Sequence, residues 1–291
     1  VMSSIEITRR EFIKSSTVAG VLALIGSSCV MFSGCAQNQE KRDLGYKSPY
    51  DFNSLSIKDG RATYYENGSL GSRLGIDVSE NQGLIDWNQV QADGIEFAFV
   101  RIGYRGSTKG DLYDDKFYIQ NIINARNAGL DVGAYFYSQA TDENEAKDEA
   151  ELCIDRLSNI SRDLKINGSP LSMPLVFDHE PTANGAGRTD NLSRTDLTNC
   201  AIEFCKTIAQ SGLRPMIYGN AGAIGRYERE RLLSSVSKLG QDKMQVWYAE
   251  YNSNKPSAQF DFSIWQYDNQ GAVAGIDTDV DMNILFTKTY K

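Results

Sequence analysis

Two carboxylates stand two residues apart in Pro174-Leu-Val-Phe-Asp-His-Glu-Pro181, where an apolar run reads as a β-strand that ends in Asp178, His179 and Glu180. On a strand, residues i and i+2 share a face with Cα atoms roughly 6–7 Å apart, so both acids look into one space. Such a pair suits cleavage of a glycosidic bond. One carboxyl, held protonated, supplies a proton to the leaving oxygen, while an ionised partner stabilises, attacks or activates at the sugar carbon. Two like charges in one pocket resist joint ionisation, which divides the roles in that way. His179 alternates to the opposite face and reads as structural. An isolated Asp-x-Glu is common at solvated strand ends, and the surrounding chain has to decide between the two readings.

The elements that would position this pair come from a chain of 291 residues, 41% hydrophobic and 23% charged, enough for one large domain or two small ones. A formal charge of −8 without any cluster of Lys and Arg argues against a nucleic-acid partner. His179 is the sole histidine, which excludes a site built from several His ligands and leaves a Ser-His-Asp triad hard to assemble. No metal and no cofactor is expected. Cys153, Cys200 and Cys205 are odd in number, lack metal-type spacing and read as small buried apolar residues.

Residues 1–35 stand apart from the fold. Thr8-Arg-Arg-Glu-Phe-Ile-Lys14 precedes an apolar run over 17–32 and then Ser33-Gly-Cys35, the order of an export signal. The first segment resembles a bacterial twin-arginine signal, and the last resembles a lipobox whose Cys35 becomes the lipidated first residue of the mature chain. The expectation is an exported protein, lipid-anchored to the membrane at the cell surface, with a flexible tether over 36–72 and a domain over 73–291. Twin-arginine export carries folded proteins, so the domain cannot depend on disulfides formed outside. A monomer is expected.

From residue 74 the chain alternates. Strands are predicted at 74–79, 97–104, 131–138, 175–180 and 215–218, separated by helices that start at Asp86 and span 114–128, 142–157, 194–210 and 223–236. Three further strands, at 245–250, 262–267 and 278–284, are joined by connections too short for a crossover helix, so at least one runs antiparallel. The pattern predicts an α/β fold, an irregular TIM-like barrel of eight strands with five β/α units.

Chemistry gathers at the C-terminal mouth of such barrels. The strand ends supply Asp77, Arg101, Tyr104, Tyr135, Tyr137, Asp178, Glu180, Tyr218, Asn220, Trp247, Glu250, Trp265, Gln266, Tyr267 and either Asp279 or Asp281. An acidic mouth walled by aromatics is what a saccharide asks for, since sugar C–H faces stack on rings while hydroxyls and amides are hydrogen-bonded.

An ordered set of short motifs carries a family resemblance: Gly75-Ile-Asp-Val-Ser79, Phe99-Val-Arg-Ile-Gly103, Gly133-Ala-Tyr-Phe-Tyr-Ser138, Phe177-Asp-His-Glu180, Trp247-Tyr-Ala-Glu-Tyr251, Trp265-Gln-Tyr267 and Val280-Asp-Met-Asn283. Together they resemble the glycoside hydrolase family 25 lysozymes, the Chalaropsis-type muramidases. The resemblance implies metal-free hydrolysis of the β-1,4 bond between N-acetylmuramic acid and N-acetylglucosamine in peptidoglycan, with retention. It implies Glu180 as general acid, Asp178 as its partner, and Asp77 and Asp281 as further acids, with Asp279 the alternative to Asp281. Whether Asp178 attacks or orients the substrate's acetamido group stays open. Tyr104, Tyr135, Tyr137, Tyr218, Trp247, Glu250, Tyr251 and Gln266 are the expected substrate-binding residues. The competing readings are a non-catalytic peptidoglycan-binding lipoprotein and a glycosidase for another amino-sugar polymer.

Overall fold

The computed structural model describes residues 46–182, 185–239 and 245–287. The predicted signal, Cys35 and the first part of the predicted tether lie outside the described residues.

Eight strands close into a barrel: β4 (Ser72–Val78), β5 (Phe97–Arg105), β7 (Asp131–Tyr137), β8 (Leu175–Asp178), β9 (Pro215–Asn220), β10 (Gln245–Ala249), β11 (Ile264–Gly271) and β12 (Val280–Phe286). Neighbours are parallel from β4 through β11, and β12 alone runs antiparallel, to both β11 and β4. A short strand, β6 (Leu112–Asp114), pairs antiparallel with the upper end of β5.

Helices cover one side of the barrel. They are α1 (Trp87–Ala92), α2 (Tyr118–Asn127), α3 (Glu143–Leu164), α4 (Arg194–Gln210), α5 (Ala221–Gly225) and α6 (Arg229–Ser237). Their starts follow cap chemistry: Asp86, Asp142, Ser193 and Asn220 each accept backbone N–H bonds of the first turn. Helix α2 begins at Tyr118 rather than residue 114, because Asp114 ends β6 and Asp115 turns inward. Helix α3 runs to Leu164, beyond the predicted 157, and ends on a left-handed Lys165. The last predicted helix is two, α5 and α6.

The predicted tether needs correction. Residues 50–72 form a three-stranded antiparallel sheet, β1 (Leu55–Lys58), β2 (Arg61–Glu66) and β3 (Ser69–Leu70), packed on the barrel. The physical reason is the missing helices. Strands β11, β12 and β4 carry outward apolar side chains with no crossover helix to bury them, and the small sheet does so instead. Tyr50 stacks on Phe286 at 4.3 Å, Tyr64 meets the same ring edge-on at 5.2 Å, and the Tyr50 hydroxyl donates to the Phe262 carbonyl at 2.8 Å. The Tyr267 hydroxyl donates to the Gly60 carbonyl at 2.9 Å. Composition hid this sheet, since its exposed face is polar and turn-rich.

Inside the barrel, alternate residues build a second apolar cluster of Phe97, Phe99, Tyr135, Val176, Met216, Tyr218, Trp247, Ile264 and Leu285. Gly75 makes room for it, because a Cβ there would lie 2.3 Å from the Phe97 ring. Toward the mouth the inward positions become polar: Asp77 on β4, Asp178 on β8, and Asn283 then Asp281 on β12.

Candidate active site

Four acids meet at the mouth. Asp178 closes β8 and Glu180 follows it by two; Asp77 and Asp281 are register partners across the β4–β12 ladder. All four are nearly buried, at 2%, 0%, 3% and 6% exposure for Asp77, Asp178, Glu180 and Asp281. Asp279 lies outside β12 and is exposed, so Asp281 is the acid opposite Asp77.

The two pairs are held differently. The Asp77 carboxylate sits in an amide clamp, its Oδ2 accepting from Gln266 Nε2 at 2.6 Å and Asn283 Nδ2 at 2.9 Å. Each amide is itself oriented: Trp247 Nε1 donates to Asn283 Oδ1 at 2.7 Å, and the Tyr218 hydroxyl donates to Gln266 Oε1 at 2.8 Å, joined there by Tyr251. An amide whose oxygen is claimed by aromatic donors presents its N–H to Asp77 without ambiguity. On the other side the peptide oxygens of the Asp-x-Glu segment are gripped. Ser138 N–H donates to the Asp178 carbonyl at 2.7 Å and Gln139 Nε2 to the Glu180 carbonyl at 3.1 Å, while Gln139 Oε1 accepts from Thr189 at 2.9 Å.

Tyr137 lies beside this pair. Burial, then the charges of Glu180 and Asp178, push its hydroxyl well above the usual tyrosine range, so it is a neutral hydrogen-bond donor. Arg101 is buried under the mouth with Nε on Asp115 at 2.9 Å and a second nitrogen on Glu80 at 3.0 Å. Burial alone would lower its pKa; the charges of Tyr135, Asp115 and Glu80 outweigh this and raise it.

The described residues on either side of 183–184, after Glu180, are braced. Asp190 accepts from the N–H of Thr182 at 2.8 Å and of Gly187 at 2.7 Å. Arg188 pairs with Glu145 at 2.8 Å and donates to the Gln139 carbonyl at 3.2 Å. Ala183 and Asn184 lie outside the described residues.

The predicted binding residues separate into three groups. Tyr104, Tyr137 and Tyr251 stand partly open at the mouth. Tyr135, Tyr218, Trp247 and Gln266 lie deeper, at most 4% exposed, and Tyr218, Trp247 and Gln266 belong to the hydrogen-bond network that orients Asp77. The Glu250 carboxylate accepts from Ser257 N–H at 2.6 Å, Ser257 Oγ at 2.8 Å and the Tyr248 hydroxyl at 3.0 Å. Asn283 and Gln139 were missed as positioning residues. Asn283 was findable by strand parity, two positions from Asp281 on the inward face. Gln139 had no such signal, because it lies beyond the end of β7.

His179 faces outward, buried beside Phe177 and the α4 layer. Burial, then the Arg226 charge, lowers its pKa from 6.5 to about 3 against an opposing pull from Asp190.

A parallel barrel whose mouth gathers carboxyls among aromatics is the architecture of a glycoside-hydrolase site. Residues 76–276 match the glycosyl hydrolases family 25, and the chain belongs to that family. It is 27% identical over 209 residues to the autolytic lysozyme of Clostridium acetobutylicum, covering 72% of this chain and 54% of that protein. It is 28% identical over 213 residues to lysozyme M1 of Streptomyces globisporus, covering 72% and 66%. The chain therefore spans between half and two thirds of the length of these relatives. Among solved structures it is similar to the bacterial lysozyme from Streptomyces coelicolor, with a TM-score of 0.53 and 26% identity over 72% of this chain and 90% of that one.

Proposed function

We propose that this protein is a peptidoglycan hydrolase that cleaves the β-1,4 bond between N-acetylmuramic acid and N-acetylglucosamine by carboxylate catalysis with retention. One observation carries the reading: Asp178 and Glu180, nearly buried at the end of β8, share a mouth with the register-paired Asp77 and Asp281. Family membership and the lysozyme relatives support it.

Glu180 donates its proton to the leaving glycosidic oxygen. Asp178 lies beside it to meet positive charge at the anomeric carbon, and Asp77, fixed by two amides, adds a preorganised negative charge to an oxocarbenium-like transition state. Tyr137 donates a hydrogen bond within the same space.

Glu180→Gln removes the transferable proton while keeping the shape. It should slow release of new reducing ends from purified peptidoglycan by about 10²–10⁴-fold, and an unchanged rate would sink the assignment of the acid. The new reducing ends should belong to N-acetylmuramic acid. Reducing ends on another sugar would move the reading to a different glycosidase, and binding without any new ends would make this a wall-binding protein.

The lysozyme relatives support action at the cell wall. Arg9-Arg10 and Cys35 support export and a lipid anchor at the cell surface, with the domain working as a monomer. Cells fed labelled palmitate should label the wild-type chain and not Cys35→Ala; label retained by the variant would remove Cys35 as the attachment point.

A further inference from the structure

Glu180 lies beyond the last residue of β8, so the sheet ladder does not fix its backbone. The chain that leaves it returns to supply what the ladder does not. The Glu180 carbonyl accepts from Gln139 Nε2 at 3.1 Å, and Gln139 is in turn held at both ends by the two residues at which that chain comes back. The buried Thr189 hydroxyl claims Gln139 Oε1 at 2.9 Å, which turns the amide N–H toward Glu180, and Arg188 Nη1 donates to the Gln139 carbonyl at 3.2 Å. Glu180, Gln139, Arg188 and Thr189 thus close a ring of contacts around the end of β8.

Arg188 anchors this ring to three other parts of the fold. Its guanidinium meets Glu145 of α3 as a fork, Nη2 on Oε1 at 2.8 Å and Nη1 on Oε2 at 2.9 Å. Glu145 also accepts from the Thr141 N–H at 2.8 Å and the Thr141 hydroxyl at 2.9 Å. Burial raises the Glu145 carboxyl, but the bonds from Arg188 and Thr141 outweigh it and hold the group below its usual range, so the pair stays ionised. The Arg188 N–H donates to the Ser107 carbonyl at 3.0 Å, on the turn between β5 and β6. Gly110 on that turn is left-handed, and a Cβ there would lie 2.3 Å from Arg188 Nη1, so the guanidinium lies directly against the hairpin backbone. The hairpin is fixed in turn by Arg105, which binds the Gly110 carbonyl at 2.8 Å, the Glu145 carbonyl at 2.8 Å and Glu149 at 2.7 Å. The end of β7, helix α3 and the hairpin all meet at one guanidinium.

We propose that Arg188 is a positioning residue for the proton donor: by fixing Gln139 it sets the place and direction of the Glu180 carboxyl relative to the leaving glycosidic oxygen. The proposal rests on the reading of Glu180 as general acid and adds to it what aims that acid. Proton transfer needs donor and acceptor within about 2.6–3.2 Å, so a displacement of about 1 Å is costly to the reaction while it hardly alters how the sugar is held. Glu145 neutralises Arg188, so the contribution is one of geometry rather than of charge delivered to the mouth. Lysine does not replace it, because an ammonium is a point charge without the planar fork.

The test varies how much the reaction needs the acid. One substrate is an N-acetylglucosamine–N-acetylmuramic acid tetrasaccharide, whose leaving sugar oxygen must be protonated. The other is the N-acetylglucosamine–N-acetylmuramic acid disaccharide joined to 4-nitrophenol, which departs as the phenolate without a proton. For each, kcat/KM is measured, since it reports the step that breaks the glycosidic bond. Arg188→Met should lower it about 10-fold on the tetrasaccharide and leave the aryl glycoside unchanged. Arg188→Lys should show the same split, and it decides the matter if urea unfolding finds the Met variant unfolded. Combining Arg188→Met with Gln139→Leu should cost no more than Gln139→Leu alone, because both act on Glu180 along one path. Equal losses on the two substrates, additive losses in the double variant, or no loss at all each overturn the proposal. A wild-type chain that cleaves neither substrate overturns the hydrolase reading itself, and leaves no acid for Arg188 to position.

Discussion

The barrel has two halves built on different terms. The arc of β5, β7, β8 and β9 follows the regular pattern, each strand backed by a helix, with side-chain caps starting α3, α4 and α5. The arc of β10, β11, β12 and β4 has no helix between its last strands, reverses direction at β12 and borrows its outer cover from the small sheet over 55–70. Each half delivers two acids to the mouth. The regular half holds the backbone on either side of Asp178 and Glu180, through Ser138 and Gln139, which suits a pair whose charges change during a reaction. The irregular half grips the Asp77 carboxylate itself, which suits a charge that stays. Antiparallel β12 makes this possible, because it sets Asn283 diagonal to Asp77 and Asp281 directly opposite it.

The most damaging change to this division should fall on the borrowed cover. Tyr64 is 2% exposed between Tyr50 and Phe286, and Tyr64→Ala should lower unfolding stability by about 3–5 kcal/mol, the usual cost of emptying a buried aromatic site. Activity per folded molecule should persist, since the sheet touches the outer face of the strands. A denaturant midpoint that does not move would mean that the irregular half needs no cover.

Next comes the amide clamp. Gln266→Leu and Asn283→Leu each remove one donor from Asp77, and each should lower kcat by about 10²-fold, roughly 3 kcal/mol of transition-state stabilisation, with KM little changed. Gln266→Glu keeps an oxygen for Tyr218 and Tyr251 but sets a second carboxylate against Asp77, so it should lose as much. If Gln266→Glu retains full kcat, the two halves do not differ in the way described.

What could be read in advance divides along the same line. Regular β/α units announce themselves through periodicity, caps and Gly stops, so the helix-backed arc and its Asp178–Glu180 pair were legible, and short connections alone forecast an antiparallel strand. The irregular half was legible only in part. Strands of 4, 6 and 2 residues with mixed exposure look like linker until an uncovered barrel face needs them. The aromatics Trp247 and Tyr218 were placed on the right strands, but residue type does not say whether a mouth-proximal ring lies above the acids or beneath them; that depth is set by the stagger of strands around the barrel.

The smallest expected effect probes the regular half, through pH. His179 is buried neutral against Phe177, with its pKa lowered from 6.5 to about 3 by burial and by Arg226. The sign follows from proton counting. Between pH 6.5 and 3 the unfolded chain carries a proton at this position and the folded chain does not, so stability is fully present above pH 6.5 and falls as the pH drops through that window. At pH 5 the loss from this group is about 2 kcal/mol relative to pH 7. His179→Leu cannot protonate, so its urea stability should change by about 2 kcal/mol less than wild type between the two pH values, a difference of differences that cancels every other titrating group. Equal pH dependence in the two proteins would show that water or a counter-charge reaches His179, and that the regular half is less tightly sealed behind its acids than the packing implies.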